Sequence, residues 1–216
     1  METITERRSN EIEELVNELF KGIIESFEKS SKAFVEKDLK NCSQVLKDSI
    51  NCFKLKSEIF DKNIYFMAKN TPLATDLRRA VMTFGICNDL YRIEQYAVTI
   101  AEYTIQNQTF EYDKKIIDYL KKINKTVIKM LKLSAKLYQE NNLEIWKDIN
   151  VADKVINGEY QKIKKELRKI LIEKKINSDQ EAEDLIYFTV VIKYLERTGD
   201  HIKNISNQCK MIHIGF

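Results

Sequence analysis

Five glycines and a single proline are all that 216 residues offer for breaking the chain. Average usage would supply roughly 15 glycines and 11 prolines. A β-sandwich needs many tight turns, and nucleotide-binding folds need glycine-rich loops that cradle phosphates. Neither fits so few turn formers. Long helices joined by a few loops remain, so the fold class is all-α.

Apolar residues recur at helical spacing almost from end to end. Ile12, Leu15, Val16, Leu19, Phe20, Ile23, Ile24 and Phe27 form a first stripe, which fades at Ser30-Ser31. Asp38 is a suitable N-cap for a second helix through Leu39, Cys42, Val45, Leu46, Leu55 and Ile59. That helix should stop at Lys69-Asn70, with Thr71-Pro72 as N-cap and first-turn proline of a third helix through Leu77, Ala80, Val81, Phe84, Leu90 and Ile100. Polar residues from Gln106 to Asp113 mark a boundary. A fourth helix follows from Ile116 to Leu137, and a fifth from about Asn142 to about Lys175. Ser178 and Glu181 form a capping box that opens a sixth through Leu185, Leu195 and Cys209.

The six helices divide into two similar halves. Leu90-Tyr-Arg-Ile-Glu-Gln95 lies 105 residues before Leu195-Glu-Arg-Thr-Gly-Asp200, and Ile100 and Ile205 keep the same offset. Phe34-Val-Glu-Lys-Asp-Leu39 resembles Tyr138-Gln-Glu-Asn-Asn-Leu143 at the turn into the second helix of each half. The spacing predicts two tandem three-helix bundles, over residues 1–107 and 110–216.

Charge narrows the function classes. Lys+Arg 36 against Asp+Glu 33 leaves +3, too balanced for a dedicated nucleic-acid binder or a polybasic membrane anchor. No apolar run approaches the roughly 20 residues of a bilayer span, and the N-terminus lacks the pattern of a signal peptide, so a cytoplasmic location is expected. Cys42, Cys52, Cys87 and Cys209 make no Cys-x-x-Cys pair and read as small buried hydrophobes in a reducing compartment. No P-loop, dinucleotide glycine motif, nucleophile elbow or zinc-ligand spacing is present, so no organic cofactor is expected. The run Lys162, Lys164, Lys165, Arg168 and Lys169 is diluted by Glu159, Glu166 and Glu173 and reads as a solvated face.

One constellation stands out. Glu196 and Asp200 are four apart on the sixth helix, and Asp153 and Asn157 are four apart on the fifth. The two pairs lie equally far on either side of the turn near Asn177-Ser178. In an antiparallel hairpin Asp153 faces Asp200 and Asn157 faces Glu196, which brings three carboxylates and an amide oxygen level. Like charges so close repel, and a hard cation such as Mg, Mn, Ca or ferric iron would relieve the cost. A solvated stripe, with Lys193, Arg197 and Lys203 supplying ion pairs, satisfies the same spacing. His201 adjoins Asp200 and could ligate a metal or support the site, although a lone helical histidine is more often a packed or surface residue; His213 has no partner signal in the tail.

The residues reached here carry a family resemblance. Tyr194-Leu-Glu-Arg-Thr-Gly-Asp-His-Ile-Lys-Asn-Ile205 resembles the Leu-Glu-Arg-Ile-Gly-Asp-His-x-x-Asn-Ile signature of PhoU-type phosphate-transport regulators. Thr71-Pro-Leu-Ala-Thr-Asp-Leu-Arg78, the segment from Asn88 to Glu102, and Asp153-Lys-Val-Ile-Asn-Gly-Glu-Tyr160 resemble further segments of that family, in the same order.

The resemblance implies tandem three-helix bundles and multinuclear iron or other metals bound by Glu/Asp-x-x-x-Asp motifs. It also implies a non-enzymatic cytoplasmic negative regulator of phosphate uptake and of the starvation response. Such a protein links the ATPase subunit of a phosphate ABC transporter to a sensor histidine kinase, reaches the membrane through those partners and can form a homodimer. On this basis the expected metal ligands are Asp153, Asn157, Glu196 and Asp200. In the first half Tyr91 and Gln95 stand where the family has Glu and Asp, and Ser49, Phe53 and Lys56 face them, so that site is expected to be lost. A register shifted by one would use Asp48 instead. A helical adaptor for another transporter or kinase is the competing function. A dimetal oxidase is disfavoured because no Glu-x-x-His occurs.

Overall fold

The computed structural model describes residues 4–72, 74–106, 114–140, 142–173 and 178–214. Among them are six helices and no strand: α1 (Ile4–Glu36), α2 (Leu39–Asn70), α3 (Ala74–Gln106), α4 (Lys114–Glu140), α5 (Leu143–Glu173) and α6 (Asp179–Ile214). Helices α1–α3 pack as one bundle and α4–α6 as a second. No helix among the described residues is long and apolar enough to cross a membrane.

Local chemistry sets most helix ends. Asp38 adopts an extended conformation, and its carboxylate accepts from the backbone N–H groups of Lys40 and Asn41 at 3.1 and 3.2 Å. Asn142 Oδ1 accepts from Glu144 N at 3.0 Å, and Ser178 Oγ from Glu181 N at 3.2 Å. Each bond satisfies a donor that the first helical turn would otherwise leave orphaned.

Three expectations about the helices need correction. α1 does not fade at Ser30-Ser31 but runs on to Glu36. Both serines are buried, and their hydroxyls bond back to the carbonyls of Phe27 and Glu28. Being small, they let α4 approach closely enough for Asn124 Nδ2 to donate to Ser31 O at 3.2 Å. Thr71 is not the N-cap of α3: it closes α2 in the left-handed region, at φ 42°, and α3 begins at Ala74. The ring of Pro72 disfavours a right-handed helical Thr71, so α2 ends there. Asn70 is also pinned to α1, accepting from Arg8 and donating to Thr5. Leu77 and Val81, assigned to the third stripe together with Ala80, are exposed; Ala80 is buried as expected, and Thr83, Ile86 and Cys87 are buried besides. The Gln106–Asp113 boundary and Lys175 lie largely or wholly outside the described residues, as does the side chain of His213.

One continuous core joins the bundles. The stripe of α4 shows the pattern: Ile116, Leu120, Ile123, Val127, Met130, Leu131 and Leu137 are buried at three- and four-residue steps. α3 packs on α1, α2 and α6 and is less one-sided. It meets α6 antiparallel, with Tyr96 stacked on Tyr194 at 4.7 Å and Tyr103 against Tyr187 at 4.6 Å. All four cysteines are free and buried, and burial pushes the thiols of Cys52, Cys87 and Cys209 up to about 12. Glu159, read as part of a solvated face, is buried instead. Although desolvation raises its pKa, hydrogen bonds from Lys122 on α4 (2.6 Å) and Lys162 (3.0 Å) outweigh that and hold it below its ordinary value.

Candidate functional site

The α5–α6 hairpin gathers the carboxylates singled out in the second bundle. Gly199 lies at a close approach of α6 to α5, since a β-carbon there would lie 3.3 Å from Ile156 Cδ1 and 3.7 Å from Asp153 Oδ1. Asp153 is buried, and its Oδ2 accepts from Lys203 Nζ at 3.3 Å and from Asn157 Nδ2 at 3.4 Å. Glu196 is ion-paired with Lys193 one turn earlier on α6. Asp200 is exposed and makes no hydrogen bond or ion pair with the described residues. Partial desolvation, then the negative charges of Glu196 and Asp153, raise its pKa. The electrostatic proximity inferred from residue spacing is therefore present.

The donor types suit a hard cation, but two of the three carboxylates already hold lysines. No group of three or more His, Cys, Asp or Glu side chains that could hold a metal ion occurs among the described residues. Lys203 and Lys193 already neutralise Asp153 and Glu196, and the Asn157 amide turns its N–H towards Asp153. The cluster is two lysine–carboxylate ion pairs with the unpaired carboxylate of Asp200 beside them. A cation would have to displace the lysines.

In the first bundle the corresponding surface is aromatic. Phe53 packs against Tyr91 at 5.8 Å, and Lys56 Nζ lies 4.7 Å from the centre of the Tyr91 ring. Gln95 Oε1 accepts from Arg92 at 2.9 Å, and Ser49 Oγ donates to Leu46 O at 2.9 Å. Asp48, the ligand of the shifted register, is engaged by Lys29 at 3.2 Å and Gln44 at 2.8 Å. Sequence reasoning missed Glu94. This residue is 1% exposed, with Oε1 accepting from Ser26 Oγ at 2.8 Å and Oε2 without a partner. Desolvation raises its pKa to about 7, with Asp48 adding to the shift against the Ser26 hydrogen bond. One signal could have found it: Glu94 stands 105 residues before Gly199, so the repeat exchanges a glycine for an acid.

His201 does not back the carboxylates of its own bundle. It reaches across to α3, where Nδ1 lies 2.7 Å from Asp89 Oδ1 and Nε2 lies 3.3 Å from the Tyr96 hydroxyl. Asp89 Oδ2 also accepts from Gln208 Nε2 at 2.8 Å. The acceptor carboxylate fixes a proton on Nδ1, and in the neutral ring Nε2 then accepts from Tyr96. Tyr96 and His201 are themselves 105 residues apart. Equivalent residues meeting on antiparallel helices is what a local two-fold relation between the bundles produces. The signature histidine therefore fastens one repeat to the other.

Comparison with known proteins agrees with this architecture. The PhoU domain model matches residues 16–104 and again residues 120–209. The phosphate-specific transport system accessory protein PhoU homolog of Clostridium acetobutylicum is 33% identical over 174 residues, covering 79% of this chain and 77% of the relative. The crystal structure of PhoU from Pseudomonas aeruginosa superposes with a TM-score of 0.89 at 18% identity, covering 97% of this chain and 99% of that one. That of the phosphate transport system regulatory protein PhoU from Streptococcus pneumoniae gives 0.86 at 19% identity, covering 98% of each chain. With both bundles matched in order by one domain model, the chain belongs to the PhoU family.

Proposed function

We propose that this chain is a non-enzymatic regulator of phosphate transport and phosphate-starvation signalling. The observation that carries this reading is the double domain match, together with the relative named an accessory protein of a phosphate-specific transport system. A scaffold of long helices held by one continuous core presents extended surfaces and suits action by occupying partners. The partners proposed are the ATPase subunit of a phosphate ABC transporter and a sensor histidine kinase. The chain works in the cytoplasm, meets the membrane through those partners, restrains uptake when phosphate is plentiful and forms a homodimer. If the second bundle takes up a hard cation at Asp153, Asn157, Glu196 and Asp200, the cation competes with Lys193 and Lys203 for oxygen donors.

Affinity purification of the full chain from phosphate-replete and phosphate-starved cells tests the partner assignment. Recovery of the transporter ATPase, varying with phosphate, supports it. The first bundle's departures, Tyr91, Gln95 and the buried Glu94, favour a second reading, an adaptor of the same fold serving another transporter or kinase. Recovery of such a partner in place of the phosphate transporter would establish that one.

A further inference from the structure

The first bundle holds a cleft of about 450 Å³ between α2 and α3. Its α3 wall stands where the second bundle carries its ion pairs. Across the 105-residue repeat Glu196 becomes Tyr91, Asp200 becomes Gln95, Lys203 becomes Val98, and Gly199 becomes Glu94. The charged positions of the second bundle have thus become aromatic, apolar or neutral polar ones, joined from α2 by Ser49, Ile50 and Phe53, with a single acid set among them. Both α2 side chains are more than half exposed, whereas Glu94 is buried.

Glu94 is the unexplained group. Buried polar atoms are nearly always hydrogen-bonded, because leaving one unpaired forfeits its hydration without return. Ser26 satisfies one carboxyl oxygen and nothing among the described residues satisfies the other. For the ionised carboxylate the missing partner is a donor. The cleft sets the apolar and aromatic side chains of Ile50, Phe53, Tyr91 and Val98 beside the polar Ser49, Glu94, Gln95 and Thr99, a mixture usual in small-ligand pockets, and its volume falls in the usual range. Aromatic faces beside a carboxyl group favour a cation. The face of Tyr91 already receives one, the ammonium group of Lys56. Asp48 adds negative charge near Glu94, whereas Cys52, also on α2, stays a neutral thiol.

We propose that this cleft is a binding site for a small organic ammonium compound, its N–H donors directed at Glu94 Oε2 and its hydrocarbon body held among Ile50, Phe53, Tyr91 and Val98. The site is independent of the phosphate reading, because it rests on the first bundle's own side chains.

Benzylamine, benzyl alcohol and benzoate, titrated into the full chain at pH 8 and followed by ligand-observed NMR and calorimetry, test the proposal. Benzylamine should bind roughly tenfold or more tightly than the isosteric alcohol, and benzoate should not bind. Glu94→Gln should abolish the preference for the amine. Val98→Lys supplies at a half-buried position the ammonium that Lys203 provides in the second bundle, and should block the probe by occupying its place. Helicity by circular dichroism confirms that each variant folds, and if Glu94→Gln does not fold, Val98→Lys alone decides. Equal affinity for amine and alcohol, or amine binding unchanged in a folded variant, would overturn the proposal.

Discussion

Replacing Glu94 by Gln should stabilise the protein at alkaline pH and do little at acid pH. The side chain is 1% exposed, and its carboxyl titrates near 7 in place of 4.5, chiefly because burial disfavours the anion. Below about 4.5 the carboxyl is protonated folded or unfolded, and pH costs nothing. Between 4.5 and 7 the folded chain keeps a proton that the unfolded chain releases, so stability falls as pH rises. Above 7 the folded chain must ionise a buried group, and the penalty is complete. A shift of that size corresponds to about 3 kcal/mol, at 1.36 kcal/mol per pH unit. Gln keeps an acceptor for Ser26 and has no charge to bury. For a chain of this length each kcal/mol moves Tm by roughly 2–4 °C. About 2.5 kcal/mol of the penalty accrues between pH 5 and pH 8, so the Tm difference between Glu94→Gln and the parent should widen by roughly 5–10 °C over that interval. Differential scanning calorimetry without added amine reads this directly, since the other titrating groups cancel in the difference. Parallel Tm profiles, or a variant less stable at pH 8 than at pH 5 relative to the parent, would refute the reasoning.

Three further outcomes follow from the geometry. Asp89→Ala removes the acceptor shared by His201 and Gln208, and should cost about 1–3 kcal/mol in urea denaturation, with the tyrosine near-ultraviolet signal at the α3–α6 contact reporting the loosening. An unchanged midpoint would remove the clamp from the account. Gly199→Val forces new methyl groups onto Ile156 Cδ1 and should cost about 1–3 kcal/mol by spreading α5 from α6; wild-type stability would contradict the close approach. In the double variant Lys193→Ala, Lys203→Ala the carboxylates lose their ammonium partners, so Mn²⁺ should bind roughly tenfold or more tightly than in the parent. Equal affinity by calorimetry would show that the lysines do not compete with a cation.

The helices were legible because their signals are local. Scarce glycine and proline, the Asp38 and Ser178 caps and the three- to four-residue apolar steps act within a few residues of where they are written. Ser30 and Ser31 misled because their burial depends on α4, which is more than 80 residues away in the chain. The hairpin relation of Asp153 to Gly199 and Asp200 could be reached by symmetry about one turn, and the structure has it. The lysines that neutralise the cluster were visible in the stripe, but which carboxylate each would choose depends on rotamers and helix rotation. The pairing of His201 with Asp89 needs the docking of α3 on α6, a contact between residues 112 apart that no local pattern encodes. Glu94 sits inside a signature copy that otherwise reads as a degenerate repeat, and only the bundle's closure shows that its side chain turns inward.

Phosphate uptake in cells lacking this chain tests the central claim most directly. In phosphate-replete medium the deletion strain should take up radiolabelled phosphate faster than its parent and express starvation genes, and the full chain supplied in trans should restore both. Unchanged uptake and unchanged starvation-gene expression in the deletion strain would contradict the account.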